Sequence, residues 1–479
     1  MDALLARLRP YRLGLLVLVA LAPLFLLTAE RSVPNTDASA ASIAAWRIAS
    51  TGEPWLDGVD LDALPSDQVR FPDFSVQTRE DGRIVVARTM GAVLPAVPAY
   101  ALLNRSTDPA DFETAPGSWT GSVIALLALW FLYLLTRQWW GDARAALVTA
   151  VVGVSTPIWS VVADMLWTHG FTVLGILAMA YATSRGRWWA TGFAGGIGLL
   201  GRPHVAFVVA ILGVGLAVRR REPMIAVKMG LASGAWLVVL LVWNRWLYGV
   251  WSAEGGYSGR EVTSQTLGSG AFTVDQLLDQ VGLWVSPIVG LLPWSPALLV
   301  LLPAVVACRR RLPDWTLWLA LGGVAYGIVQ GQINGFTGGS GFYGYRLMLE
   351  PMACFLPACL LVVPMLARRW QVLLGALVGW QVAQISVGAV QKAWLVREES
   401  RWTDHGFFLA LRTEPELIIW AVLLTVIGAL VAAKLTEGPP VVEELEPLGE
   451  GVSQPPQPRR WSRSEGLPEP RDPRTHVTQ

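Results

Sequence analysis

Lysine, cysteine and histidine are almost missing from this sequence, and charge of either sign is scarce. The lysines are Lys228, Lys392 and Lys434, against a large excess of arginine, a bias that fits a GC-rich bacterial genome. The cysteines, Cys308, Cys354 and Cys359, all lie in or beside apolar runs, which excludes a disulfide framework and a thiolate metal site by spacing. The four histidines are scattered and form no metal motif. Only 15% of the 479 residues are charged and 53% are hydrophobic, with a mean hydropathy of +0.45. A soluble domain of this length needs far more charge to cover its surface, so a soluble globule is excluded. The net charge of +1 gives no basis for binding nucleic acid.

What is present is a succession of apolar stretches, most of them long enough for a hydrocarbon core of ~30 Å. Arg7, Arg9 and Arg12 precede the first, which places the N-terminus in the cytoplasm, and the later spans favour an uncleaved anchor over a signal peptide. Counting positive flanks onward gives spans at about Trp119–Thr136 and Ala145–Ala163, with a third returning to Arg185 and Arg187. Trp188–Val218 is too long for one span and too short for two. It is interrupted at Gly201-Arg202-Pro203-His204, as two short helices meeting at the outer face would be. Gly230–Leu247, Val285–Ala307, Thr316–Val329, Leu347–Leu366, Val372–Val390 and Leu417–Ala433 complete the series. The expected architecture is an all-α polytopic membrane protein, a bundle of about twelve transmembrane helices.

Residues 1–12 are then a cytoplasmic N-terminus and 13–28 the first transmembrane helix. Residues 29–117 form an external loop carrying surface helices, 118–434 the helical bundle, and 435–479 a disordered cytoplasmic tail rich in proline and charge. Within the loop, Arg83–Asn104 turns apolar and reads as a helix lying on the membrane surface. No strong internal repeat is visible, although an inverted-repeat transporter would show matching broken helices in its two halves.

The external loop holds the first candidates for chemistry. Asp37, close to the outer end of the first span, is a candidate general base. The plainer alternative is a helix N-cap, because Ala38-Ser39-Ala40-Ala41 follows. Asp57 belongs to a run of acids that mostly reads as solvated surface. Arg88, at the head of the apolar segment, is placed to pair with a lipid phosphate or to snorkel as an interfacial anchor. Asp164 and His169 flank a helix boundary, an ordinary place for interface residues. Arg202 and His204 interrupt an apolar segment, where ionisable groups are costly and usually paired or functional. The stretch Gly338-Gly339-Ser340-Gly341-Phe342-Tyr343-Gly344-Tyr345-Arg346 combines glycines, which allow close backbone approach, with aromatics suited to a sugar face and an arginine suited to phosphate. A flexible loop with interfacial aromatics is its bland counterpart.

The order of these motifs resembles the GT-C superfamily of membrane glycosyltransferases, which includes protein O-mannosyltransferases and aminoarabinose transferases. The resemblance is carried by the early loop acid Asp37 and by Ala87-Arg88-Thr89-Met90-Gly91-Ala92-Val93-Leu94-Pro95. It continues through Leu166-Trp167-Thr168-His169-Gly170, Gly201-Arg202-Pro203 and Asn244-Arg245-Trp246-Leu247-Tyr248-Gly249. Ser286-Pro287, Ser295-Pro296 and Gly338 through Arg346 complete it. It covers roughly Leu13 to Leu366, and the order is more specific than any one motif. Two departures stand out: Arg-Thr-Met-Gly replaces the usual Lys/Tyr-Pro-Pro-Gly, and Asp37 lacks the second acid that some relatives carry.

The resemblance implies a bacterial cytoplasmic-membrane enzyme acting on the outer face. It would use a polyprenyl-phosphate sugar donor and a glycan, lipid or protein acceptor of the cell envelope. Asp37 would be the base; Arg88, with Arg346 or Arg202, would neutralise the departing phosphate. His169 would hydrogen-bond sugar or phosphate, and Tyr345 would lie in the donor site. Asp164 and Asp57 are secondary candidates for the acid. Members differ in their need for a divalent cation, and no dedicated ligand set is visible. The alternatives are a transporter or flippase of lipid-linked sugars, and a glycolipid-binding pseudo-enzyme. A transporter's charges should line a midplane path, whereas the polar motifs here gather at the outer ends of helices.

Overall fold

The computed structural model describes residues 9–32, 35–69, 76–253, 255, 274–333, 342–391 and 402–437. All of them belong to one unit, Met1–Pro439; the second unit, Pro440–Gln479, lies outside the described residues, as does the expected tail beyond residue 437. Gly338 to Gly341 also lie outside them.

The described chain is almost wholly helical. Helix α1 (Arg12–Thr28) is followed by α2 (Thr36–Thr51), the strands β1 (Val76–Thr78) and β2 (Ile84–Val86), α3 (Met90–Val93), α4 (Val97–Leu103) and the long α5 (Ala115–Ser155). Then come α6 (Thr168–Ser184), α7 (Trp188–Gly201), α8 (Val205–Arg220) and α9 (Pro223–Tyr248). The second half comprises α10 (Val274–Val285), α11 (Leu291–Trp294), α12 (Leu298–Cys308), α13 (Asp314–Ile333), α14 (Leu349–Val362), α15 (Arg368–Gln391), α16 (Gly406–Thr413) and α17 (Leu417–Leu435).

Among the described residues, five helices are by themselves long and apolar enough to cross a membrane: Arg9–Thr28, Ala115–Ser155, Pro223–Tyr248, Arg368–Gln391 and Leu417–Leu435. A helix satisfies its own backbone groups, so it is the natural state for such runs in lipid. The chain is a multi-pass helical membrane protein. Several of the expected spans take the form of shorter pieces. Ala145–Ala163 starts in α5 but runs past its end at Ser155 into a separate helical turn, Ile158–Val162. Trp119–Thr136 falls within α5, which breaks at Gly141, where φ is 73°. Only glycine adopts that backbone without strain, and it separates the two runs. Trp188–Val218 divides into α7 and α8 at the expected interruption. Arg202 is extended there (φ −147°, ψ 118°), as a residue before proline prefers, so its side chain leaves the helical path.

Bare backbones bring segments of the bundle together at several places. Gly375 and Gly379 of α15 lie directly against Gly428 and Leu424 of α17, where any Cβ would meet a carbonyl. Gly91 of α3 lies against Leu200 and Gly201; a Cβ there would come within 2.6 Å of the Leu200 carbonyl carbon. This contact brings the Arg88 segment to the α7–α8 break.

The apolar segment Arg83–Asn104 is not one surface helix. It starts as β2, which pairs antiparallel with β1, and then forms three helical pieces around Pro95 and Pro98. With α2 it encloses a small core of its own, in which Ile43, Trp46, Tyr100 and Phe112 are all buried and Tyr100 stacks on Phe112. Complete burial of an aliphatic or phenyl side chain is worth roughly 1.5–3 kcal/mol, so this loop is a folded platform.

Candidate active site

Asp37 lies in the first turn of α2 but does not cap it. The cap is Asn35, whose Oδ1 accepts the Asp37 N–H at 2.8 Å. This corrects the capping alternative: an asparagine two residues earlier does that work and leaves the Asp37 carboxylate to other partners.

Those partners are arginines from two distant segments. Arg88 Nη2 donates to Asp37 Oδ1 at 2.7 Å, and Arg346 Nη1 donates to Oδ2 at 3.1 Å. The side chains of Arg88 and Arg346 are 1% and 7% exposed, whereas that of Asp37 is 37% exposed. The carboxylate therefore stands at an opening with its cations behind it. Arg88 is further fixed by donating from Nε to the Asp37 carbonyl (3.2 Å) and from Nη1 to the Ala87 carbonyl (2.6 Å). Arg346 lies over the rings of Trp167 and Phe342, with centroids 4.4 and 4.9 Å away. Burial works against ionisation of Asp37, but Arg88, Arg346 and Arg202 outweigh it and hold the carboxyl below the usual carboxylate range.

The Asn-x3-Tyr-Gly element explains how Arg88 is aimed. The Tyr248 hydroxyl, at the end of α9, accepts the Arg88 N–H at 3.0 Å and stands 2.5 Å from the Arg88 carbonyl and 3.1 Å from that of Val86. Arg79, at the hairpin turn, donates to the Trp246 and Leu247 carbonyls of the same helix end. Tyr248→Phe takes this hydroxyl away, while the Arg88 N–H keeps the Val86 carbonyl as an acceptor at 3.0 Å. Loss of the hydroxyl's contacts with the Arg88 and Val86 carbonyls is expected to cost about 0.5–1.5 kcal/mol of stability, as thermal unfolding in micelles would show.

His169 and Arg202 meet each other: Arg202 Nη2 lies 2.9 Å from His169 Nε2. Arg202 also donates to Thr168 Oγ1 (3.2 Å) and to Gln330 Oε1. His169 Nδ1 lies 2.8 Å from Glu350 Oε1, so both ring nitrogens face protein groups and not the opening. Tyr345 is buried and its hydroxyl oxygen accepts from Ser295 Oγ at 2.9 Å, which joins the Ser-Pro element to the Arg346 segment. The Trp167 indole N–H, beside Arg346, is buried and has no hydrogen-bond partner among the described residues, and the same holds for the Thr89 hydroxyl next to Arg88.

Asp57 and Asp164 do not join the cluster by any described contact. Asp57 is exposed and accepts the N–H of Ile84, the first residue of β2, at 3.2 Å. Asp164 is buried, and its carbonyl accepts the Glu30 N–H at 2.9 Å, tying the exit of α1 to the bundle. Sequence reasoning passed over Glu350 and Gln330. Glu350 had a signal: it is the sole acid in the apolar run Leu347–Leu366, and acids at membrane depth are rare unless paired or functional. Among the described residues no three His, Cys, Asp or Glu side chains gather as a metal would need, and both Asp37 oxygens already face guanidiniums. This donor set does not fit a divalent cation.

No family model and no curated protein matches the chain. Solved structures similar to it include the crystal structure of ArnT from Cupriavidus metallidurans in the apo state, at 16% identity and a TM-score of 0.48, covering 88% of this chain and 73% of that one. The same protein bound to undecaprenyl phosphate matches at 15% identity and a TM-score of 0.46, with the same coverage. The Archaeoglobus fulgidus oligosaccharyltransferase in the apo form matches at 13% identity and a TM-score of 0.43, covering 86% of this chain and 56% of that one. The chemistry of the site is therefore read from its own side chains.

Proposed function

We propose that this protein is an inverting membrane glycosyltransferase that moves a sugar from a polyprenyl-phosphate donor to a cell-envelope acceptor on the outer face of the cytoplasmic membrane. The observation that carries the reading is a half-open carboxylate backed by two buried guanidiniums, with Arg202 close enough to act on it. A carboxylate at an opening can take a proton from an entering hydroxyl, and fixed cations beside it can receive the charge of a leaving phosphate. In this reading the acceptor O–H gives its proton to Asp37. The acceptor oxygen bonds to the anomeric carbon from the face opposite the phosphate. The bond between that carbon and the phosphate oxygen breaks, and polyprenyl phosphate departs with the electron pair. Arg88 and Arg346 hold the phosphate, supported by Arg202. The unpartnered Trp167 N–H and Thr89 hydroxyl are suited to donor oxygens, since buried polar groups normally find partners.

The test is transfer from a panel of radiolabelled polyprenyl-phosphate sugars to a crude envelope-glycan acceptor by the purified protein, with Asp37→Ala alongside. Transfer by the parent and none by a folded variant is the expected result. Movement of lipid-linked sugar across proteoliposomes without product would overturn the reading in favour of a transporter.

The pH dependence has a defined sign. Because kcat/KM reports the free enzyme, its acid limb is expected below the ordinary aspartate value of 3.8, where the arginines hold Asp37. Bound phosphate competes for the same guanidiniums, so the limb for kcat lies higher. The ion pairs also stabilise the fold above the unfolded-state value, and that stability is lost as pH falls through the depressed folded one. Rate profiles and unfolding profiles over the same range check both statements.

A further inference from the structure

Glu350 is an unexplained charge. It lies in the first turn of α14, wholly buried, and no step proposed above uses it. Its Oε1 accepts the Thr172 hydroxyl at 2.5 Å and stands 2.8 Å from His169 Nδ1. On the other side of the ring, His169 Nε2 stands 2.9 Å from Arg202 Nη2. A guanidinium only donates, so Nε2 must carry the lone pair, and a carboxylate only accepts, so Nδ1 must carry the proton. Both contacts select the same neutral tautomer. A doubly protonated ring would point an N–H at another N–H of Arg202.

We propose that Glu350 is a positioning residue: it fixes His169 as the Nδ1–H tautomer, and the Nε2 lone pair so created orients the Arg202 guanidinium in the phosphate site. With Thr168 Oγ1 and Gln330 Oε1, that lone pair gives each nitrogen of Arg202 an acceptor on the protein side. The backbone serves the same end, since the extended conformation of Arg202 before Pro203 turns its side chain out of the helical path. The hydrogen-bonded chain Glu350–His169–Arg202 thus connects α14 to the α7–α8 break. Its consequence for phosphate binding rests on the glycosyl-transfer reading, whereas the tautomer does not.

The test has two arms, both on the full-length protein in lipid nanodiscs. In the first, nitrogen NMR of [15N]histidine-labelled protein reads the tautomer, with His204→Phe, His405→Phe and His476→Phe used for assignment. His169 protonated on Nδ1 alone is expected; a proton on Nε2, alone or together with Nδ1, overturns the proposal. In the second, affinity for a long-chain polyprenyl phosphate is measured for the parent, Glu350→Leu, His169→Leu and the double variant. Each single variant is expected to lose about tenfold or more, the scale of one hydrogen bond to a charged group. The double variant should be no weaker than either single one, because the residues act in series. Additive losses would overturn the series. If Glu350→Leu does not fold, Glu350→Gln, which keeps an acceptor oxygen, should retain the tautomer and more of the binding than His169→Leu; equal loss would count against positioning. Failure of the parent to bind polyprenyl phosphate would sink the donor reading, and the tautomer would still be decided by the first arm.

Discussion

Asp37→Asn should reduce sugar transfer by about a hundred- to ten-thousand-fold, the range that a positioned general base contributes. The substitution is close to isosteric. The amide oxygen can still accept from Arg88, so α2 and the Arg88 segment should keep their contact, while the proton acceptor is lost. It also leaves Arg88 and Arg346, both nearly buried, without their carboxylate. Some loss of stability is therefore expected, and thermal unfolding must accompany the rate measurement so that a folded fraction can be assigned. Affinity for polyprenyl phosphate alone should rise or hold, because an anion no longer competes with a resident carboxylate for the two guanidiniums. Lower turnover with unweakened binding separates a base from a purely structural ion pair, whose loss would weaken both. If transfer survives in the folded variant, Asp37 is not the base.

The sequence was most legible where covalent geometry dictates the outcome. Arg202-Pro203 had to interrupt its apolar run, because a residue before proline avoids helical angles and proline has no N–H to give; α7 ends at Gly201 and α8 begins at Val205 accordingly. Gly141 likewise divides α5 at the turn between two expected spans. The helix cap was misread, since Asn35 and Asp37 have similar capping preferences and only the fold decides which of them faces the backbone. Long-range pairing was the least legible. Asp37 and Arg346 are separated by most of the chain, and no local pattern states that they share a hydrogen bond. Glu350 illustrates the opposite error: it sits in plain view in an apolar run, but its partner His169 is distant in sequence, so its charge had no visible counterpart.

The second large effect is expected at Arg88, and the informative substitution is lysine. The Arg88 guanidinium bonds at once to the Asp37 carboxylate, the Asp37 carbonyl and the Ala87 carbonyl. A planar fork can reach three acceptors in fixed directions, whereas an ammonium is a point charge on a flexible stem. Arg88→Lys therefore keeps the charge but loses the aim, and should cost about a hundred- to a thousand-fold in kcat, the loss typical of one donor to developing negative charge. Arg346→Lys should cost less in orientation and more in packing, because Arg346 is held by the faces of Trp167 and Phe342 as well as by Asp37. If the two arginines serve one phosphate, their effects should not be independent of the base. In an Asp37→Asn background, Arg88→Lys should lower the residual rate far less than in the parent, since groups that act as a unit are strongly non-additive. Full additivity between the two would mean that Arg88 and Asp37 act at separate steps, and the shared site would have to be divided.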